Sequence, residues 1–331
     1  MSSFKISRRR AAATLLSGAC AAAWPLARAQ DRGQAFPQRP IKIVVPFPPG
    51  SGTDTTARTF ARKIGELTGQ GVAVENKPGA NGFIGVNAVL NAPADGYTVF
   101  VGSNSTLTTN AALFKSLPYD PLKDFEPITI LTRGPCVVLV PSQSPYRTLR
   151  ELIDAARKRP NELNYGSGSI SYKLYTEWFN QIAGIKAVEV PYKGAGDVIK
   201  ALTAGEVDYG VTDRSGAVEL VKSGRLRALV QAASRRFALM PEVPTSAEAG
   251  IPEYLADNWV AAAVSAKTPP DVVKRLSDLF QQAGQSTEIR NYYADQSAEL
   301  WLSTPDEMRK FQKEEIARWK QLAALTGIPL Q

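Results

Sequence analysis

The residues of this chain best placed to do chemistry are Gly50-Ser51-Gly52-Thr53-Asp54. They follow the β-branched run Ile41-Lys42-Ile43-Val44-Val45 and the turn Pro46-Phe47-Pro48-Pro49, and a helical pattern comes next. A strand, a small-residue loop and a helix start in that order leave the first helical N–H groups without intrahelical acceptors. They also aim the positive end of the helix dipole at the loop, which suits a carboxylate or a phosphate. The stretch fails as a nucleotide P-loop, because G-x-x-x-x-G-K-[ST] aligned on Gly52 needs glycine at Phe47, lysine at Thr53 and a hydroxyl residue at Asp54. The plain alternative is a tight βα connection with Thr53 or Asp54 as helix cap. Capping and ligand contact can coexist.

Four more strand ends carry similar loops: Gly79-Ala80-Asn81-Gly82, Ser103-Asn104-Ser105, Ser167-Gly168-Ser169 and Tyr192-Lys193-Gly194. In open α/β sheets ligands bind at the carboxyl ends of the strands, where these loops lie. The candidate contacts are therefore Phe47, Pro49, Gly50, Ser51, Gly52, Thr53 and Asp54, with Ala80, Asn81, Gly82, Ser103, Asn104 and Ser105. From the middle of the chain come Ser167, Gly168, Ser169, Tyr172, Tyr192, Lys193, Gly194, Asp213 and Arg214. Gly79 and Gly82 also have a bland reading as turn residues, and Lys193 one as a solvated loop lysine. Arg214 could pair with a second carboxylate on the ligand or simply with Asp213 or solvent.

The elements that must position these loops are read from alternating apolar runs and helical segments, the sign of an α/β fold with a largely parallel sheet. Strands are expected at 41–45, 72–75, 98–102, 128–131, 137–141, 163–166, 187–191, 207–211, 226–232 and 259–264. Helices are expected at 53–68, 82–91, 148–159, 171–183, 197–204, 215–223, 270–282 and 305–325. The chain has no histidine, and its two cysteines are Cys20 and Cys136. That excludes Ser-His-Asp and Cys-His nucleophilic sites and histidine-ligated metals. No cofactor is expected. An enzyme would have to work through carboxylates such as Asp54 with Asp213. Cys136, ahead of a Val-rich run, reads as a small buried residue.

Residues 1–29 read as a cleaved secretory signal peptide: Arg8-Arg9-Arg10, an apolar stretch from Ala11 to Ala23, and Ala27-Arg28-Ala29 before Gln30. Export by the general route is expected, with a twin-arginine route as the alternative at Ser7-Arg8-Arg9; Cys20 lacks the spacing of a lipoprotein acceptor. The leader holds five of the 39 basic residues, so the remainder has 34 against 31 acidic ones, a net charge of +3 where the whole chain has +8. No cluster of Lys and Arg points to nucleic acid. With Cys20 removed in the leader, no intrachain disulfide is possible.

The motifs Val45-Pro46-Phe47-Pro48-Pro49-Gly50, Asn76-Lys77-Pro78-Gly79-Ala80, Ala94-Asp95-Gly96-Tyr97, Val190-Pro191-Tyr192-Lys193-Gly194 and Pro241-Glu242-Val243-Pro244-Thr245 occur in family order across the chain. By these the chain closely resembles the Bug or TctC-like extracytoplasmic solute receptors of tripartite tricarboxylate transporters. The resemblance implies a periplasmic binding protein-like α/β fold of two lobes, each a central β-sheet flanked by helices, with the ligand cleft between them. It implies one lobe from residues 30–131 with 257–331 and another from 132–256. It also implies a non-enzymatic, monomeric periplasmic receptor that holds a small organic mono- or dicarboxylate and hands it to membrane permease subunits. A receptor serving a sensor protein is the alternative. The chain departs from its relatives where Leu107 and Tyr172 replace more polar neighbours, and both are candidate ring contacts for an aromatic or longer carboxylate.

Overall fold

The β-branched run Ile41–Val45 forms β1 in the computed structural model, which describes residues 36–214, 216–295, 298–328 and 330. After it come α1 (Gly52–Thr68), β2 (Val72–Asn76), α2 (Phe83–Leu90), β3 (Thr98–Ser103), α3 (Asn110–Leu113) and β4 (Phe125–Pro141). A 3-10 turn, Ala80–Gly82, leads into α2, and a π-helical turn, Ser105–Thr109, leads into α3. The chain continues with α4 (Leu149–Lys158), β5 (Asn164–Ser167), α5 (Ile170–Ala183), β6 (Val188–Pro191), α6 (Ala195–Ala204), β7 (Tyr209–Asp213), α7 (Val218–Lys222) and β8 (Leu226–Gln231). β9 (Asp257–Ser265), α8 (Pro270–Gln285), α9 (Thr287–Asp295), β10 (Glu299–Leu300) and α10 (Pro305–Thr326) follow. The leader read over residues 1–29 lies outside the described residues, as does Ser215 at the expected start of a helix. Among the described residues no helix is long and apolar enough to cross a membrane.

The sheet is mixed, not largely parallel. Its strand order is β2-β1-β3-β9-β4-β7-β5-β6, with β8 and β10 also pairing β4. The two outer wings are parallel, β2-β1-β3 on one side and β7-β5-β6 on the other. Between them β9 runs antiparallel to β3 and β4, and β4 runs antiparallel to β7 and β8. The sequence pattern suggested two strands, 128–131 and 137–141; the structure has one, β4, of 17 residues. A strand does not have to end where its partner does: β4 pairs with β9 as far as Pro135 and with β7 from Cys136 onward. It thereby links the two wings, and Cys136 is fully buried within it.

Each wing has its own apolar packing. Val44, Phe100, Phe125, Trp259 and Met308 meet around the first wing, with Trp301 partly buried against them. Tyr165, Tyr175, Phe179, Tyr254 and Trp319 meet around the second. α10 serves both, since Met308 packs in the first group and Trp319 in the second, the latter 5.1 Å from the Tyr175 ring. Its Gln312 side chain donates to Leu107 O at 3.3 Å in the π-helical turn. The start of α10 is fixed by a capping box in which Thr304 Oγ1 accepts from Glu307 N and the Glu307 carboxylate accepts from Thr304 N. Thr304→Ala is expected to lower unfolding free energy by about 1 kcal/mol, read as an earlier urea midpoint at unchanged slope.

Candidate functional site

At the end of β1 the chain turns through Phe47 to Ser51 and enters α1, whose amino terminus is built by two side chains. Ser51 Oγ accepts from Asp54 N at 3.2 Å. The Asp54 carboxylate turns back to accept from Gly50 N at 2.9 Å, Asn76 Nδ2 at 2.8 Å and Arg58 Nε at 3.0 Å. Burial alone would raise the Asp54 pKa, but the donors of Arg58, Gly50 and Asn76 outweigh it and hold the carboxyl below its ordinary value. Helix geometry leaves the N–H groups of Gly52 and Thr53 without intrahelical acceptors.

The loop ahead of α2 is held in an unusual shape. Ala80 and Asn81 have φ of 45° and 53°, and Gly82 has φ of 88°. For the alanine this left-handed conformation carries a cost of about 1–3 kcal/mol and persists where the surroundings impose it. Asn110 Nδ2 does so here by donating to Asn81 O at 3.0 Å. A side chain at Gly82 would run into the Thr106 methyl. At the end of β3, Ser103 and Ser105 hydroxyls meet at 3.0 Å, and the chain enters the π-helical turn. Such turns are frequent at functional sites.

From the second wing, two helix starts face these loops. Ser169 caps α5, its Oγ accepting from Tyr172 N at 3.5 Å, and α6 has Gly194 at its N-cap position with no side-chain cap. Gly168 lies so close to the start of α6 that a Cβ there would sit 2.5 Å from Ala195 N. The wings approach each other at Gly194, where a Cβ would meet Pro48 at 3.2 Å. Beyond them, Tyr172 donates from its hydroxyl to Asp213 Oδ2 at 2.9 Å. Burial and the neighbouring Asp213 push the Tyr172 phenol well above its ordinary pKa, so it stays a donor.

These groups enclose a cavity of about 20 Å3. The first wing contributes Phe47, Ser51, Gly52, Thr53, Ser103 and Ser105; the second contributes Gly168, Ser169, Tyr172, Ala195 and Asp213, with Asn258 from β9. On one side it shares Phe47, Ser105, Gly168 and Ser169 with an outer cavity of about 290 Å3 that also takes in Ala80, Asn81, Gly82, Tyr192 and Lys193. On the other side it shares Gly52, Asp213 and Asn258 with a cavity of about 220 Å3 beside the linking strands, lined further by Gly50, Thr132, Arg133 and Arg214. Of these lining residues, Arg133 pairs with Asp257 at 2.6 Å, and Arg214 lays its guanidinium 4.1 Å over the Phe237 ring. Burial brings the Arg214 pKa down to about 10, which leaves it charged at neutral pH.

Several expected contacts are placed elsewhere, each for a definable reason. Asp54 is 2% exposed and spends its carboxylate on bracing the loop. Ser167 donates to Glu189 Oε1 at 2.6 Å, and Asn104 donates to the Tyr175 hydroxyl at 2.8 Å across the wings. Pro49 is exposed at the loop tip, and Gly194 is set behind Ala195. Leu107 belongs to the core around Phe100 and does not face the cavity. Asn258 was not anticipated; its signal was a polar Asp257-Asn258 pair opening an apolar strand. Arg133, a charge inside the apolar β4 run, was a similar signal.

The family model described as the tripartite tricarboxylate transporter family receptor, TctC, matches residues 56–328. The chain belongs to that family. Its members are periplasmic solute-binding receptors, not enzymes. BugT of Bordetella pertussis is 35% identical over 299 residues, covering 89% of this chain and 92% of BugT. A structure of an R. palustris protein with adipate is 31% identical with a TM-score of 0.86, covering 89% of this chain and 99% of that one. MatC from Rhodopseudomonas palustris with bound malate is 31% identical with a TM-score of 0.82, covering 87% and 99%. The two-winged α/β architecture of this TctC receptor is thus the fold of solved solute receptors.

Proposed function

We propose that this TctC receptor captures a small organic carboxylate in the periplasm by closure of two lobes and delivers it to the permease subunits of a tripartite tricarboxylate transporter. The carrying observation is the convergence of the α1, α5 and α6 starts on one cavity to which, among the described residues, no Lys or Arg contributes a wall. Helix ends of this kind contribute roughly 0.3–1 kcal/mol each, up to about 2 when partly buried. Hydrogen bonds to a charged group add about 1.5–3 kcal/mol each. Together these suffice for micromolar capture, about 8 kcal/mol, without an arginine clamp. The adipate and malate of the two R. palustris receptors support the same ligand class.

A chamber of about 20 Å3 holds only a water or so, so ligand entry requires the lobes to part. The lobes are residues 30–131 with 257–331, and residues 132–256, joined through β4, which runs from one into the other. The 1–29 leader would direct export and be removed. A ligand longer than the inner cavity extends past Asp213 into the chamber beside the linking strands, where Arg214 receives its second carboxylate. A thermal-shift panel of mono-, di- and tricarboxylates, sugars and nucleotides tests the reading, since binding to the native state raises stability. A shift with sugars or nucleotides and none with carboxylates would overturn it. Arg214→Ala is expected to weaken dicarboxylates at least about tenfold more than the matching monocarboxylates, the scale of one lost charge-assisted hydrogen bond. Equal weakening of both classes would remove the second-carboxylate role.

A further inference from the structure

Gly168 and Ser169 wall both the inner and the outer cavity, so the loop that carries them has to be held still. Neither residue holds it to the sheet by its side chain: Gly168 has none, and Ser169 uses its hydroxyl within its own helix as the cap of α5. The grip comes from Ser167, the last residue of β5, which is 4% exposed and lines neither cavity. Its backbone oxygen accepts from Tyr192 N at 2.7 Å, and its hydroxyl donates to Glu189 Oε1 at 2.6 Å. Glu189 stands on β6, the parallel neighbour of β5. Its second oxygen lies 2.6 Å from Nζ of Lys173, on the first turn of α5, and the two side chains of this pair are 23% and 24% exposed. One carboxylate thus ties the end of β5 and the start of α5 to β6. Lys173 fixes one oxygen, and the other stays on Ser167.

We infer that Glu189, from outside the cavities, is a positioning residue for ligand capture that sets the Gly168-Ser169 wall through the Ser167 hydroxyl. This rests on the carboxylate-receptor reading. Backbone N–H groups at a helix start act on a ligand only at hydrogen-bond distance, and binding groups have to be held to within about 0.5 Å by the shell behind them. Without the carboxylate, a buried hydroxyl loses its acceptor, and Lys173 stands unpaired at the end of α5 where a cation opposes the helix dipole. Both changes favour displacement of the loop. The sign of the effect separates positioning from charge. Removing an anion from the neighbourhood of an anion site would, by charge alone, tighten binding, whereas a displaced wall weakens it. Glu189 lines none of the cavities, so the weakening falls on all carboxylates alike.

The test is titration calorimetry of the full receptor with benzoate, malate, adipate and citrate, and with any other acid of the thermal-shift panel that raises stability. Glu189→Ala should weaken each acid that binds by at least about tenfold while leaving their order unchanged. Glu189→Gln removes the same charge but should recover affinity to within about threefold of wild type, because an amide can accept from the Ser167 hydroxyl or donate to it. Ser167→Ala should lose about as much as Glu189→Ala, and the double variant no more than either alone, as expected of two residues acting through one contact. Urea unfolding shows whether each variant is folded under the titration conditions; if Glu189→Ala is not, Ser167→Ala and Glu189→Gln still decide. Wild-type or tighter affinity in a folded Glu189→Ala or in Ser167→Ala overturns the inference and leaves the carboxylate reading standing. So do losses that multiply in the double variant, or a Gln variant as weak as the Ala one. If no acid binds the wild type, the receptor reading fails and this inference with it.

Discussion

Gly168→Ala is expected to remove most of the receptor's ligand affinity, at least about a hundredfold, and to cost about 1–3 kcal/mol of stability as an overpacked site. The reason is what a methyl group would meet. A Cβ on residue 168 would lie 2.5 Å from Ala195 N, 2.5 Å from Gly194 C and 2.8 Å from Gly194 O. All three atoms are backbone, so no rotamer change relieves the contact, and the loop before α5 must move away from the start of α6. Those two segments furnish Gly168, Ser169 and Ala195 to the inner cavity, and their N–H groups act on a ligand only at hydrogen-bond distance. Gly196→Ala is the matched control, because a Cβ there meets nothing within 4 Å and the residue lies in the same first turn of α6. Calorimetry and urea unfolding of both variants check the pair. Wild-type affinity in Gly168→Ala would show that the close packing of the two helix starts does not set the site.

How much of this site was legible beforehand depends on whether a residue's role was local. The loop Gly50–Asp54 was readable because strand, small residues and helix start are contiguous, and the structure differs there only in using Ser51 as the cap. The direction in which Asp54 points was not readable, since its partner Asn76 comes from β2, 22 residues away. The partners of Ser167 and Asn104 were hidden for the same reason: Glu189 and Tyr175 are supplied only by the tertiary fold. The linking strands hid for a different one. Gly134-Pro135 is an ordinary strand terminator, and only the handover of β4 from β9 to β7 at that point keeps the run extended. The chamber lined by Arg133 and Arg214 lies at this handover, so its existence depends on a topology that periodicity does not encode. The π-helical turn after β3 was also missed, because its five residues, Ser105 to Thr109, are all buried and show no amphipathic period.

Asp54→Asn is expected to destabilise the protein by about 1.5–3 kcal/mol at neutral pH, the range for hydrogen bonds to a charged group. The half-exposed Arg58 accounts for little of this, because solvent screens its pairing. Most of the loss comes from the Gly50 N–H and the Asn76 amide, which donate to different oxygens of the carboxylate, so that one of them would confront an NH2 group and the other a weaker, uncharged acceptor. The pH dependence gives the effect a signature that a packing defect lacks. Asp54 is held below its ordinary value of 3.8 in the folded protein, against the pull of burial, by Arg58, Gly50 and Asn76. An acid whose pKa is lowered on folding contributes its full stabilisation above the unfolded value and loses it as pH falls through the folded one. The gap between wild type and Asp54→Asn should therefore stay constant from neutral pH down to about 5 and close progressively below about 4. Urea unfolding of both proteins across that range measures it, with the other carboxyl groups cancelling in the difference. Because Asp54 fixes Gly50 and the start of α1 without touching the cavity, the same variant should weaken every carboxylate ligand by a similar factor. A change in selectivity among ligands would instead place Asp54 in direct contact with them. A gap that persists unchanged to pH 3 would mean that the residue acts through its shape and not through its charge.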